Sequence, residues 1–169
     1  VLTSDGWDFN GSNSYTITNT GAATAALKSS TLNATIALNN FSTGGVTINV
    51  PILANGTGGL TLNGTNITTF TGPSNASTYT GATTITSGTL KVKKLANGGV
   101  NSSIGAGAAA AGSTIIGSTA ATLATLAWVG DGTNSDSTNR IVSLGVSAAI
   151  DGSGTAGTVV NFAGTTAVG

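Results

Sequence analysis

Apolar residues alternate with Thr, Asn and Ser in short runs, and Asn-Gly or Asp-Gly pairs cut the runs apart. Leu32, Ala34, Ile36 and Leu38 form one even-numbered face, and Val46, Ile48, Val50 and Ile52 form the next. Leu90 with Val92, and Val142 with Leu144, Val146, Ala148 and Ile150, repeat the pattern. Shorter pieces are Tyr15 with Ile17, Leu60 with Leu62, Leu126 with Trp128, and Val160 with Phe162. A period of two places one set of side chains on a buried face and the other outside, which argues strand over helix. Four Asn-Gly pairs begin at Asn10, Asn55, Asn63 and Asn97, and three Asp-Gly pairs begin at Asp5, Asp131 and Asp151. Both supply positive φ at little steric cost, as tight turns require. The Ala-rich stretch from Ala106 to Ala111 is interrupted by Gly107 and flanked by Gly105 and Gly112, so it reads as a loop or a single turn.

Two architectures accommodate many short strands and Gly/Asn turns: an antiparallel sandwich, and a β-solenoid whose strands stack on the coil below. Charge separates them. Only 6% of residues are charged and the formal net charge is zero, against roughly 25% charged in an ordinary globular chain. Stacked coils set like above like, a geometry that Thr and Asn satisfy with mutual hydrogen bonds and that repeated charges would oppose. This favours an all-β solenoid as one domain over residues 1–169 and leaves the sandwich as the alternative. At roughly 20 residues per coil the chain would make about eight coils. At ~4.8 Å per coil these would form a rod about 40 Å long. Open coil ends at both termini predict partners that stack on them, either neighbouring segments or identical subunits.

Composition removes several function classes. His, Cys, Met and Glu are absent, so there is no Ser-His-Asp triad, no disulfide and no Cys or His zinc site. The cations are Lys28, Lys91, Lys93, Lys94 and Arg140. Lys91 and Lys93 read as one solvated strand face, and no clustered phosphate-binding patch exists, so no nucleic-acid partner is expected. No apolar run approaches the ~20 residues of a membrane helix, so this segment is not expected to insert in a bilayer. With Val at position 1, the chain is expected to be a mature piece or a fragment of something longer.

The stretch Tyr79 to Leu90, YTGATTITSGTL, follows a Leu60-Thr61-Leu62 strand and an Asn-rich turn after Asn63. It closely resembles the passenger-associated strand repeat of bacterial autotransporters, whose members carry Leu-Thr-Leu, an Asn-rich turn, and Tyr-Thr-Gly-x-Thr-x-Ile-x-x-Gly-x-Leu. The resemblance continues through Leu95 to Gly105, LANGGVNSSIG, then Ser137 to Arg140, Leu144-Gly145, Ile150 to Gly154 and Val159 to Phe162. Asn139 stands where the family carries an acidic residue before the Arg, which weakens any ion pair expected there. The resemblance spans about residues 45 to 162. It weights the solenoid over the sandwich and implies an all-β, right-handed single-stranded parallel β-helix outside a bacterial cell, at the outer-membrane surface. The implied role is a stalk displaying adhesive functions, or the repeating unit of an extracellular fibre, with a host or polysaccharide surface as possible partner. It does not imply catalysis, and no catalytic, cofactor or metal residue is assigned.

Three clusters compete with that structural reading. Asp131-Gly-Thr-Asn134-Ser-Asp136 offers oxygens that suit calcium, but it lacks a bidentate Glu and reads equally as a polar loop bonding its own backbone. Asp131, Asp136 and Arg140 together match the acid-plus-Arg logic of β-helical polysaccharide lyases, the alternative function, provided that one groove holds all three. Otherwise Arg140 pairs with an Asp or with carbonyls between coils. Trp7, Trp128, Tyr15, Tyr79 and the four Phe would serve as a sugar-stacking platform if exposed in a row, or else fill the interior.

Overall fold

The computed structural model describes residues 1–20, 25–71, 77–117, 122–132, 134–154, 158–164 and the backbone of 166–168. Thr133 of the polar cluster and residues 72–76 of the resembling stretch lie outside them. The described residues form eighteen strands and no helix. Their order is β1 (Leu2–Thr3), β2 (Gly6–Phe9), β3 (Tyr15–Thr18), β4 (Leu27–Lys28), β5 (Ile36–Asn40), β6 (Val46–Asn49), β7 (Ile52–Leu53), β8 (Leu60–Gly64) and β9 (Ile67–Phe70). There follow β10 (Thr83–Ile85), β11 (Gly88–Val92), β12 (Thr114–Ile116), β13 (Ala124–Trp128), β14 (Asp136–Thr138), β15 (Val142–Leu144), β16 (Ala148–Asp151), β17 (Val160–Phe162) and β18 (Thr166–Val168).

All named strands pair in parallel. The longest sheet runs β18-β15-β12-β10-β8-β5-β2, and a six-stranded sheet runs β16-β13-β11-β9-β6-β3. Shorter sheets are β1-β4-β7 and β14-β17. The chain first visits three sheets in turn: β1, β2 and β3 open them, and β4, β5 and β6 pair with β1, β2 and β3 in the same order. Hydrogen-bonded neighbours on successive rungs stand 24 residues apart at Thr35 and Gly59, and 31 apart at Asp8 and Asn39. These advances exceed the 20 residues expected per coil because the corners carry long excursions.

Strand burial alternates, with Ile36, Leu38 and Asn40 of β5 buried and Ala37 and Asn39 half-buried. Register stacks the inward residues into columns. One is Ile17, Ile48, Phe70, Val92 and Trp128, and another is Leu38, Leu62, Ile85, Ile116 and Leu144. β-branched and large apolar side chains fill these columns because stacked pleats place each against the next. On the outer face, the Asn63 amide donates to Asn39 Oδ1 at 2.9 Å, and the Asn39 amide donates to Asp8 Oδ1 at 2.6 Å. Polar stacking between rungs, inferred from the scarcity of charge, is thus present in the register.

Two of the alternating runs are shorter than their patterns suggest. Leu32 is 67% exposed because residues 31–33 turn, with Asn33 at φ 65°, before β5 begins at Ile36. Val146 is 79% exposed in the turn that separates β15 from β16. Period two continued by chance across both corners.

Asp5 joins the first rung to the second. Its Oδ1 accepts from the Ser29 hydroxyl at 2.7 Å and from the Ser30 and Thr31 amides, and its Oδ2 accepts from the Thr31 hydroxyl at 2.6 Å. The Thr31 hydroxyl, then the Ser29 hydroxyl and the Thr31 amide, hold the Asp5 carboxyl well below the usual carboxylate range. A depressed folded value means that the contribution is present above the unfolded value and lost as pH falls through the folded one. Protection of the Ser30 and Thr31 amides, taken relative to their intrinsic exchange rates at each pH, is therefore expected to fall as the solution is acidified below about pH 4. Asp5→Asn should lower that protection at neutral pH and lose its acid dependence.

Candidate functional site

The chain's single Arg lies at its most elaborate corner. Between β11 and β12, residues 93–113 leave the ladder and return. The excursion closes on itself, with the Ser103 amide donating to the Lys94 carbonyl at 3.0 Å and the Lys94 amide donating to the Ser103 hydroxyl at 3.1 Å. A backbone that curls in this way turns carbonyls inward, where each needs a donor. Arg140, 1% exposed just after β14, supplies them. Its Nε donates to Ala96 O at 3.0 Å, and its Nη2 donates to Val100 O at 3.1 Å and Gly105 O at 2.9 Å. Longer contacts reach Ile104 O and Asn97 O. A planar fork with five N–H groups fits this ring of acceptors in a way that a single ammonium does not.

The neighbours of Arg140 complete the junction. The Gly98 amide donates to Asn139 Oδ1 and the Asn139 amide donates to Asn97 Oδ1, both at 2.9 Å, so the two Asn side chains clasp reciprocally. The Thr138 hydroxyl donates to Ala96 O at 2.9 Å. Asn139 thus uses its side-chain oxygen as an acceptor, a role that a carboxylate could also fill.

Tyr79 closes the far side. It is buried at 2% exposure, its hydroxyl meets the Thr83 hydroxyl at 2.7 Å, and its carbonyl accepts from the Ala106 amide. Burial pushes the Tyr79 phenol well above its ordinary value, against the opposing effects of the Thr83 hydrogen bond and the Arg140 charge. Burial likewise lowers the Arg140 guanidinium, and Tyr79 acts in the other direction. Gly105 touches this ring with φ 74°, and a Cβ there would press on the Tyr79 carbonyl and ring. The position accepts Gly because the backbone is left-handed and the space is taken.

Asp131, Asp136 and Arg140 each make structural hydrogen bonds, and those of Asp136 and Arg140 meet at Leu95 and Ala96. The Asp136 Oδ2 accepts from Trp128 Nε1 at 2.9 Å and from the Leu95 amide at 2.8 Å. Asp131 is exposed and accepts from the Asn134 amide nitrogens, backbone at 2.9 Å and side chain at 3.0 Å, as a polar loop does. Arg140 spends its donors on carbonyls, the second of the two pairings open to it. Among the described residues no group of three or more His, Cys, Asp or Glu could hold a metal ion.

Most aromatic residues face inward. Trp128, Tyr79 and Phe70 are fully buried, Phe9 is buried, and Trp7 and Tyr15 pack partly against the core. Phe41, 51% exposed, stands out alone among the described aromatics. A groove of about 300 Å³ lined by residues including Ser14, Thr43, Thr47, Asn66, Ile67 and Thr69 carries neither charge nor aromatic ring. It offers hydroxyls without the platform on which a sugar would stack.

The Arg140 junction was open to one sequence signal, a lone Arg in a chain nearly free of charge. Its partners were not, because backbone carbonyls leave no trace in composition. No family model, no curated protein and no solved structure matches the chain.

Proposed function

We propose that the chain is a structural segment, a right-handed parallel β-helical stalk of about seven turns, in a secreted bacterial cell-surface protein. The observation that carries this reading is the regular alternation of the chain between two long parallel sheets, the longer holding seven strands in unbroken order. A stack of that kind transmits position along its axis and needs no reactive group, which agrees with the absence of His, Cys and Glu. The resemblance to passenger-associated strand repeats supplies the cellular setting: outside the cell, holding adhesive parts away from it. Neighbouring β-helical segments, or identical subunits, are the partners that fit unpaired edge strands.

The polysaccharide-degrading alternative loses ground because Arg140 is enclosed and donates to main-chain carbonyls. Electron microscopy of the purified chain across a concentration series tests the structural reading. Filaments with a subunit repeat of about 34 Å, seven intervals at ~4.8 Å with the junction counted, would identify a fibre unit. Isolated particles would identify one section of a longer stalk. Cleavage of neutral or anionic polysaccharides by the purified chain would overturn both.

A further inference from the structure

Asn followed by Gly is chemically labile, because the Gly nitrogen meets no side chain as it approaches the Asn carboxamide. All four Asn-Gly pairs share that local sequence, so their reactivities differ only through the fold. At Asn63 both reacting groups are engaged: its amide donates to Asn39 Oδ1 within the ladder, and the Gly64 amide donates to the Ser87 hydroxyl at 3.0 Å. At Asn97 both are engaged again, in the clasp with Asn139. At Asn55 the side-chain amide donates to Ser29 O at 2.9 Å. Asn10 differs. It is exposed, and its side chain makes no hydrogen bond among the described residues, while Gly11 sits at φ 91° with open space where a Cβ would stand. The backbone on either side is nevertheless anchored, since Asn10 O accepts from the Tyr15 hydroxyl at 2.7 Å and Gly11 O accepts from the Thr43 amide at 2.9 Å.

We propose that Asn10 is a self-modification site, converted to aspartate and isoaspartate while the hydrogen bonds of the fold protect the other three pairs. The Gly11 nitrogen gives up its proton to solvent base and bonds to Asn10 Cγ. The bond from Cγ to Nδ2 breaks, and the nitrogen leaves as ammonia after taking up a proton. Water then opens the cyclic imide at either carbonyl, restoring an aspartate or inserting the side-chain carbon into the main chain as isoaspartate. No oxidant or reductant is needed. Each event adds one negative charge to a chain whose formal net charge is zero, a change large enough to resolve by ion exchange.

The test incubates the intact chain at mildly alkaline pH, with a urea-denatured sample in parallel, and follows all four pairs by peptide mapping. The native chain should react at Asn10 at least about tenfold faster than at Asn63 or Asn97, since those must first open locally. In urea the four rates should converge. Equal rates in the native chain, or earliest reaction at Asn63 or Asn97, would overturn the proposal. Asn10→Gln should remove the first acidic species on ion exchange with an unchanged circular dichroism spectrum. Persistence of that species would also overturn it.

Discussion

Replacing Arg140 by Ala is expected to destabilise the chain by about 3–5 kcal/mol, a large share of the 5–15 kcal/mol that holds a domain folded. The guanidinium is enclosed and donates to carbonyls from Ala96 to Gly105. Hydrogen bonds from a charged donor are among the stronger ones, and every acceptor left dry adds its own penalty. The loss should concentrate in the excursion. Hydrogen exchange of residues 95–105 should rise more than that of β5 or β8, and the urea midpoint should fall. Arg140→Met keeps much of the volume and none of the donors, so it should resemble Ala. Arg140→Lys keeps the charge without the fork and should recover only part of the loss. Full stability of the Met variant would show that packing, not hydrogen bonding, makes the junction.

Trp128→Ala should cost a similar amount, about 3–5 kcal/mol, by a different route. Trp128 continues the inward column above Val92 and is 1% exposed. Truncation leaves a cavity between rungs that strands hydrogen-bonded on both sides cannot close, since β13 pairs with β11 and β16. It also removes the indole N–H from Asp136, whose carboxylate keeps the Leu95 amide. Trp128→Phe separates the two effects: it restores most of the packing and should retain a deficit of about 1–2 kcal/mol from the missing donor. Equilibrium unfolding of the three proteins in urea measures both quantities.

Much of the strand pattern was legible because burial on one face of a pleat leaves a period of two. Ile36 with Leu38, Leu60 with Leu62 and Leu90 with Val92 are all buried as their spacing implies. Corners were less legible. Pro51 sits between Val50 and Ile52, both buried, so the alternation runs straight through the bend from β6 to β7. Leu32 and Val146 extend their patterns into turns for the same reason: periodicity in sequence carries no record of where the backbone changes direction. The Arg140 junction and the Trp128 to Asp136 bond depend on which rung lies above which. That register is set by excursion lengths, and the 93–113 excursion has no hydrophobic period to mark it.

The outer amide column has a direction. Asn63 donates to Asn39 and Asn39 donates to Asp8, so both N–H groups point toward the first rung. Aligned carboxamide dipoles add, as peptide dipoles do along an α-helix, and the positive end of this short array faces Asp8. The carboxylate there does what an acidic residue does in the first turn of a helix: it terminates an oriented row of donors with a full negative charge. A stack of rungs can thus carry electrical polarity along its axis in a chain with almost no charge to spend.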